Sequence, residues 1–161
     1  MGLLNPYTET DRYFMQSALH EAERAKDLGE IPIGAVVVLN HEIIGRGFNR
    51  TIIDHDPSAH AEILALREAG KALGNHRLLQ AKLYVTLEPC LMCLGASVQA
   101  RISDLVFGAY DSRVGTCGSE WDLARHPKLN HRIHRLQGGV LEEECKALLQ
   151  DFFRAKRKEQ R

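Results

Sequence analysis

No apolar run in this sequence approaches the ~20 residues that a membrane-spanning helix needs. The longest, Ile31 to Leu39, is interrupted by Pro32 and Gly34. The first residues, MGLLNPYTETDR, lack the basic stretch followed by an apolar one that marks a secretory signal. Gly2 is not in a myristoylation context, because Pro6 stands where Ser or Thr is wanted. A cytoplasmic protein without a membrane partner is the expectation. Net charge is also lacking, with 21 basic and 21 acidic side chains. That argues against binding nucleic acid through the bulk surface alone. Cysteines number four, at 90, 93, 117 and 145. In a reducing compartment so few thiols do not make a disulfide framework, and a close pair is better used for metal or catalysis. Repeats, linkers and low-complexity tracts are missing too. The expectation is one domain over residues 1–161.

What the chain does contain is ordinary globular material, 44% hydrophobic and 26% charged, which argues against disorder as the main state. The charge is unevenly placed. Residues 154–161, RAKRKEQR, hold five basic side chains and one acidic. Such a basic end to a terminal helix, 152–161, is either a phosphate-binding device or a solvated end whose cations offset the helix dipole.

Periodicity orders the elements. Phe14, Met15, Ala18, Leu19, Ala22 and Ala25 recur at helical spacing over Thr10 to Leu28, with Thr10 or Asp11 as cap and Gly29 as stop. IPIGAVVVL and EIIGRGFN read as two strands joined by a tight Asn40-His41 turn. Ala59 to Leu73 reads as a helix closed by Gly74, LYVTLEP as a strand, Cys90 to Ala100 as a helix and SDLVFGAY as a strand. Residues 111–131 carry no period and predict an irregular loop with room for one short helix. His131 to Gln137 is the candidate fifth strand, and Leu141 to Lys158 a long terminal helix. Strand–helix alternation after residue 59 predicts an α/β fold, a three-layer α/β/α sandwich around one mixed five-stranded sheet.

The chemistry concentrates in TLEPCLMC, Thr86 to Cys93. Pro89 should end the strand, because proline cannot donate to a ladder. Cys90 then stands at a helix N-terminus, where free N–H groups and the dipole favour thiolate. Cys93 lies one turn on, so C-x-x-C can chelate one zinc ion. A structural zinc site would close with four protein ligands, yet Cys117 and Cys145 are isolated and form no second knuckle. A catalytic site needs three and keeps a position for water. HDPSAHAEIL supplies His60 as third ligand and Glu62 as a carboxylate placed to move a proton of that water. A redox dithiol would need neither. H-x-E alone is common by chance. C-x-x-C is expected only about 0.07 times in a chain of this composition, and the ordered combination is specific.

HAE followed by PCLMC matches the H-x-E…P-C-x-x-C signature, and in it the chain resembles the zinc-dependent nucleoside and base deaminases. From about Arg12 to Lys156, segments such as GEIPIGAVVV, LVFGAYDS and LLQDFFR are similar to those of the bacterial tRNA-specific adenosine deaminases. That resemblance implies a cytidine-deaminase-like fold and a hydrolase converting wobble adenosine in a tRNA anticodon stem-loop to inosine. It implies one Zn2+ per subunit held by His60, Cys90 and Cys93, with Glu62 catalytic. It implies that Asn49 contacts the extruded base and that Asp111 and Arg113 lie near the flanking backbone. Phe152, Phe153 and Arg154 match a C-terminal F-F-R that packs on the anticodon loop, although adjacent helical aromatics commonly leave one, here Phe152, in the core. The resemblance also implies a homodimer; nothing calls for a nucleotide cofactor. One departure stands out: Arg113 occupies a position where relatives often have Lys. Two alternatives stay open, a deaminase of a free base or nucleoside such as guanine, cytosine or cytidine, and a catalytically idle zinc-binding RNA module.

Overall fold

The computed structural model describes residues 7–161. The readings on a leader and on Gly2 and Pro6 rest on residues that fall largely outside that range. The elements, in chain order, are α1 (Glu9–Asp27), β1 (Gly34–Leu39), β2 (Glu42–Phe48), α2 (Ala61–Leu73), β3 (Lys82–Leu87), α3 (Leu91–Gln99), β4 (Asp104–Ala109), β5 (Arg135–Gln137) and α4 (Glu142–Glu159). The five strands form one sheet in the order β2-β1-β3-β4-β5. β1 is antiparallel to β2 and β3, whereas β4 runs parallel to β3 and β5 parallel to β4. The sheet is therefore mixed, as expected.

Alternation along the strands divides the core in two. Ala35, Val37, Leu83, Val85, Leu105 and Phe107 face the layer formed by α2 and α3. Val36, Val38, Tyr84 and Val106 face α1 and the start of α4, where Phe14, Met15, Ala18 and Cys145 complete the packing. The period-2 geometry of a strand sends neighbours to opposite faces, so a sheet covered on both sides reads as a continuous apolar run. That is why VVV sits in β1, an interior strand. β1 begins at Gly34 rather than Ile31, because β1 is paired on both edges and Pro32 has no N–H for a ladder.

The hairpin between β1 and β2 turns on two residues, Asn40 and His41, both with positive φ (52° and 63°). This is the type I′ geometry whose twist matches that of the strands. Gly47 on β2 allows α2 to lie directly on the sheet. A Cβ there would stand 2.3 Å from the Ala61 carbonyl oxygen and 2.6 Å from the Ala65 nitrogen.

Three expectations are corrected. Neither Thr10 nor Asp11 caps α1. Thr8 does, its hydroxyl accepting from the Asp11 N–H while the Asp11 carboxylate accepts from the Thr8 N–H. Asp11 is thereby the third residue of a capping box. The fifth strand covers only Arg135–Gln137, not 131–137, and it exists where Arg135 reaches Asp11 at 2.6 Å. The loop 111–131 contains turns and one isolated bridge, Cys117 with Asp122, and no helix.

Candidate active site

β2, β3 and β4 end, and β1 begins, at the same edge of the sheet; Gly34 pairs with Phe48, and Leu87 with Ala109. The helices α2 and α3 both start at this edge. His60 is the N-cap of α2 and Cys90 the N-cap of α3, and neither side chain makes a capping hydrogen bond. N-caps are usually Ser, Thr, Asp or Asn, whose oxygen satisfies a free helix N–H. Here both cap side chains turn toward each other instead. The His60 Nδ1 lies 3.6 Å from the Cys90 Sγ and 3.4 Å from the Cys93 Sγ. All three donor atoms fall within 4.8 Å of one another.

These distances fit zinc. With Zn–S near 2.3 Å and Zn–N near 2.0–2.1 Å, tetrahedral angles put N and S about 3.6 Å apart. Two thiolates and an imidazole are also the donor set of a three-ligand catalytic zinc. The three donors also perturb one another. The Cys90 thiol is pushed down to about 4, chiefly by a hydrogen bond from Cys93 and further by His60, against the opposing effect of burial. The Cys93 thiol is pushed up by Cys90 and by burial. Hydrogen bonding to Cys90 raises His60 despite desolvation.

Glu62, in the first turn of α2, is 4% exposed, and burial pushes its carboxyl above the usual range. It lines, with His60 and Cys90, a cavity of about 890 Å³. Asn49, at the end of β2, lines the same cavity; its backbone N–H donates to the Ile33 carbonyl. Its Oδ1 is buried and makes no hydrogen bond within the protein.

The other residues expected at the site divide by position. Asp111, Arg113, Phe153 and Arg154 line the cavity. The Asp111 carboxylate is already engaged, accepting from the Arg113 and Val114 backbone N–H groups in a turn. Phe152 is buried, packs edge-on against Phe153 and is not among the cavity-lining residues. It belongs to the core side of α4, so its pairing with Phe153 and Arg154 in one motif did not mean a shared surface. Cys117 and Cys145 are buried, and burial pushes both thiols up to about 12; they are packing residues. Trp121 is half exposed on the 111–131 loop.

Sequence reasoning missed Lys146 and Gln150, which also line the cavity, and reached Arg157 only as part of the basic tail. The signal was present: 146, 149, 150, 153, 154 and 157 share one face of a helix at three- and four-residue spacing. The basic tail is therefore not uniform. Arg154 and Arg157 face the cavity, while Lys156 lies over the Phe152 ring and pairs with Glu159.

Comparison with known proteins agrees with this geometry. A protein-family model described as cytidine and deoxycytidylate deaminase zinc-binding region matches residues 8–109. A tRNA-specific adenosine deaminase of Haemophilus influenzae is 48% identical over 155 residues, 96% of this chain and 89% of that protein. A solved structure from studies of A-to-I editing by tRNA:A34 deaminases at the wobble position of transfer RNA is 44% identical. It superposes with a TM-score of 0.82 over 85% of this chain and 99% of its own. A guanine deaminase from Bacillus subtilis is 38% identical, with a TM-score of 0.60 over 66% of this chain and 69% of its own. The shared sheet, the His60–Cys90–Cys93 triad and the near-full-length identity have one meaning: the chain belongs to the zinc-binding cytidine and deoxycytidylate deaminase family and, within it, to the tRNA-specific adenosine deaminases.

Proposed function

We propose that this protein is a zinc-dependent hydrolase that deaminates adenosine to inosine at the wobble position of a tRNA anticodon stem-loop. The observation that carries the reading is the cavity itself. It is lined by His60 and Cys90, which meet Cys93 behind them, and by Glu62, and its wall carries four cations, Arg113, Lys146, Arg154 and Arg157. A free base would not need such a wall, whereas a phosphodiester backbone would.

His60, Cys90 and Cys93 would hold the metal. When bound, zinc supplies Lewis-acid activation, bringing the pKa of the attacking water to about 7. Glu62 takes one proton of that water to the adjacent purine ring nitrogen, and then carries the second, from the new C6 hydroxyl, to the amine. The C6–O bond forms, the C6–N bond breaks and ammonia leaves. A buried carboxyl whose pKa is raised by desolvation suits this, because it holds a proton more readily than an exposed carboxylate does. Asn49, which lines the cavity, is the amide that hydrogen-bonds the base. A loop nucleotide is the form of substrate that reaches this site, since C6 of a stacked base is inaccessible. The half-exposed Phe153, next to Arg154, offers a stacking surface for a neighbouring base.

A homodimer is part of the proposal. Leu91 and Met92, between the two cysteine ligands, stand 58% and 37% exposed, and Ile52 and Ile53 are also exposed. Apolar side chains left in water beside a site support a partner that covers them. No helix among the described residues is long and apolar enough to cross a membrane, and a tRNA substrate fits a cytoplasmic enzyme.

The test offers the purified protein an anticodon stem-loop with adenosine at the wobble position, alongside free adenosine, cytosine and guanine. Glu62→Ala is the control. Inosine formed in the RNA alone, and only with Glu62 present, is the expected result. Ammonia released from a free base with the RNA untouched would instead favour the guanine-deaminase-like reading.

A further inference from the structure

Among the buried carboxylates that the chemistry above does not use, Glu88 lines the cavity. Glu88 lies between β3 and Pro89 and is 2% exposed. Both its oxygens are committed to a segment 23 to 31 residues away. Oε1 accepts from the Asp111 N–H at 3.0 Å and from the Ser119 hydroxyl. Oε2 accepts from the Cys117 N–H at 2.9 Å and from the Ser119 N–H at 3.2 Å. The next carbonyl, that of Pro89, accepts from the Thr116 N–H and hydroxyl at 3.2 and 2.9 Å.

Residues 111–119 contribute no strand to the sheet, so the two residues Glu88 and Pro89 supply much of what shapes them. The fit is close. A Cβ on Gly115 would stand 2.4 Å from the Glu88 Cδ and 2.5 Å from the Asp111 carbonyl oxygen. The outer side of this loop, Asp111 to Val114, is one wall of the cavity. Just past Pro89 the chain reaches Cys90.

We propose that Glu88 is a positioning residue for substrate: it folds the 111–119 loop into the cavity wall and thereby sets affinity for the substrate rather than the rate of the chemical step. An ionised carboxylate has only acceptors, about four lone-pair sites, and here it meets four donors. No other side chain matches that set at that length. Gln keeps one carbonyl and turns an NH2 toward the remaining donors. Asp is one methylene too short, and Ala leaves three backbone N–H groups without their partner. Because Glu88 touches none of the reacting atoms in this scheme, its loss acts through the loop.

The choice of RNA as probe rests on the function proposed above. Glu88→Gln, Glu88→Ala and Ser119→Ala are compared with wild type in zinc content, KM and kcat on the wobble-adenosine stem-loop, and amide hydrogen exchange. Stem-loop Kd is measured in the Glu62→Gln background. The expected result for Glu88→Ala is about a tenfold rise in KM and Kd, with kcat changed less than about threefold and zinc unchanged. Glu88→Gln falls between it and wild type. Exchange rises in 111–119 and not in α2 or α3. Unchanged KM and Kd overturns the proposal, as does a loss confined to kcat or zinc. If both Glu88 variants fail to fold, Ser119→Ala decides by the same criterion, with a smaller rise expected. Wild-type protein that ignores the stem-loop sinks the RNA reading alone; KM is then read on the free base that turns over, and loop exchange still tests Glu88.

Discussion

Adding a single methyl group to β2 should disturb the metal centre. In Gly47→Ala the new Cβ meets the Ala61 carbonyl oxygen at 2.3 Å, the Ala65 nitrogen at 2.6 Å and the Leu64 Cβ at 3.0 Å. The two nearest are backbone atoms of α2, which cannot swing aside. Ordinary carbon–oxygen contact requires roughly 3.3 Å, so helix and strand must part by about 1 Å. Overpacking of this kind costs about 1–3 kcal/mol. At roughly 2–4 °C per kcal/mol for a chain of this size, Tm should fall by about 2–12 °C. The functional effect is sharper. Ala61 sits between His60 and Glu62, so its retreat carries a metal ligand and the proton carrier with it. A misplacement of about 1 Å can cost on the order of 100-fold in rate. The measurements are thermal unfolding by circular dichroism, zinc affinity by competition with a chromophoric chelator, and turnover. A variant with wild-type Tm and wild-type zinc affinity would refute the reasoning, because it would mean that α2 does not bear on β2 through backbone at this point.

Three further outcomes are expected. Glu62→Gln should keep zinc and RNA affinity while turnover drops at least about 100-fold, the lower end of what proton transfer contributes; near-normal turnover in a zinc-loaded sample would exclude the assigned role. Asp11, 1% exposed, titrates at about 2 in the fold because the Arg135, Thr8 and Tyr84 hydrogen bonds outweigh the opposing effect of burial. Its folded pKa is depressed, so its contribution of about 2 kcal/mol is present above about pH 4 and lost as pH falls toward 2. Denaturant unfolding at pH 2 to 6 should reveal this slope, and Asp11→Asn should flatten it; parallel pH profiles would refute the assignment. If the four cations on the wall each neutralise a phosphate of an unpaired loop, the logarithm of affinity should fall against the logarithm of salt with a slope near −2.8. Arg157→Ala should then reduce the slope by about 0.7. Fluorescence anisotropy titrations measure both, and an unaltered slope would take Arg157 off the RNA.

The sequence was most readable where function is local. Cys90 and Cys93 fit within one helical turn, so their spacing revealed a shared side, and His60 and Glu62 stand two residues apart at a helix start. Pro57, Ser58 and Pro89 marked where those helices begin. Asn40-His41 announced its own turn. Elements that depend on distant partners were less legible. Asp11 looked like a cap candidate, and nothing near it hinted at Arg135, 124 residues on. The same holds for Glu88, whose donors lie past β4. β5 is short because only three residues are held beside β4, a tertiary matter. Phe152 and Phe153 show the reverse case, neighbours that part. They are adjacent in sequence, yet about 100° apart around a helix, so one is buried and the other faces the cavity.

The cavity's two sides also come from different stretches of the chain. The triad and Glu62 lie between residues 60 and 93, whereas the cationic side begins at Asp111 and ends on α4 at Arg157. The first stretch falls within the region common to cytidine and deoxycytidylate deaminases, and the second lies beyond it. Reaction and recognition can therefore change at different rates. Substitutions after residue 109 can retune which molecule is admitted while the hydrolytic centre stays intact. A graft of residues 110–161 between deaminases of this fold should move substrate preference and leave the metal's own ligands untouched.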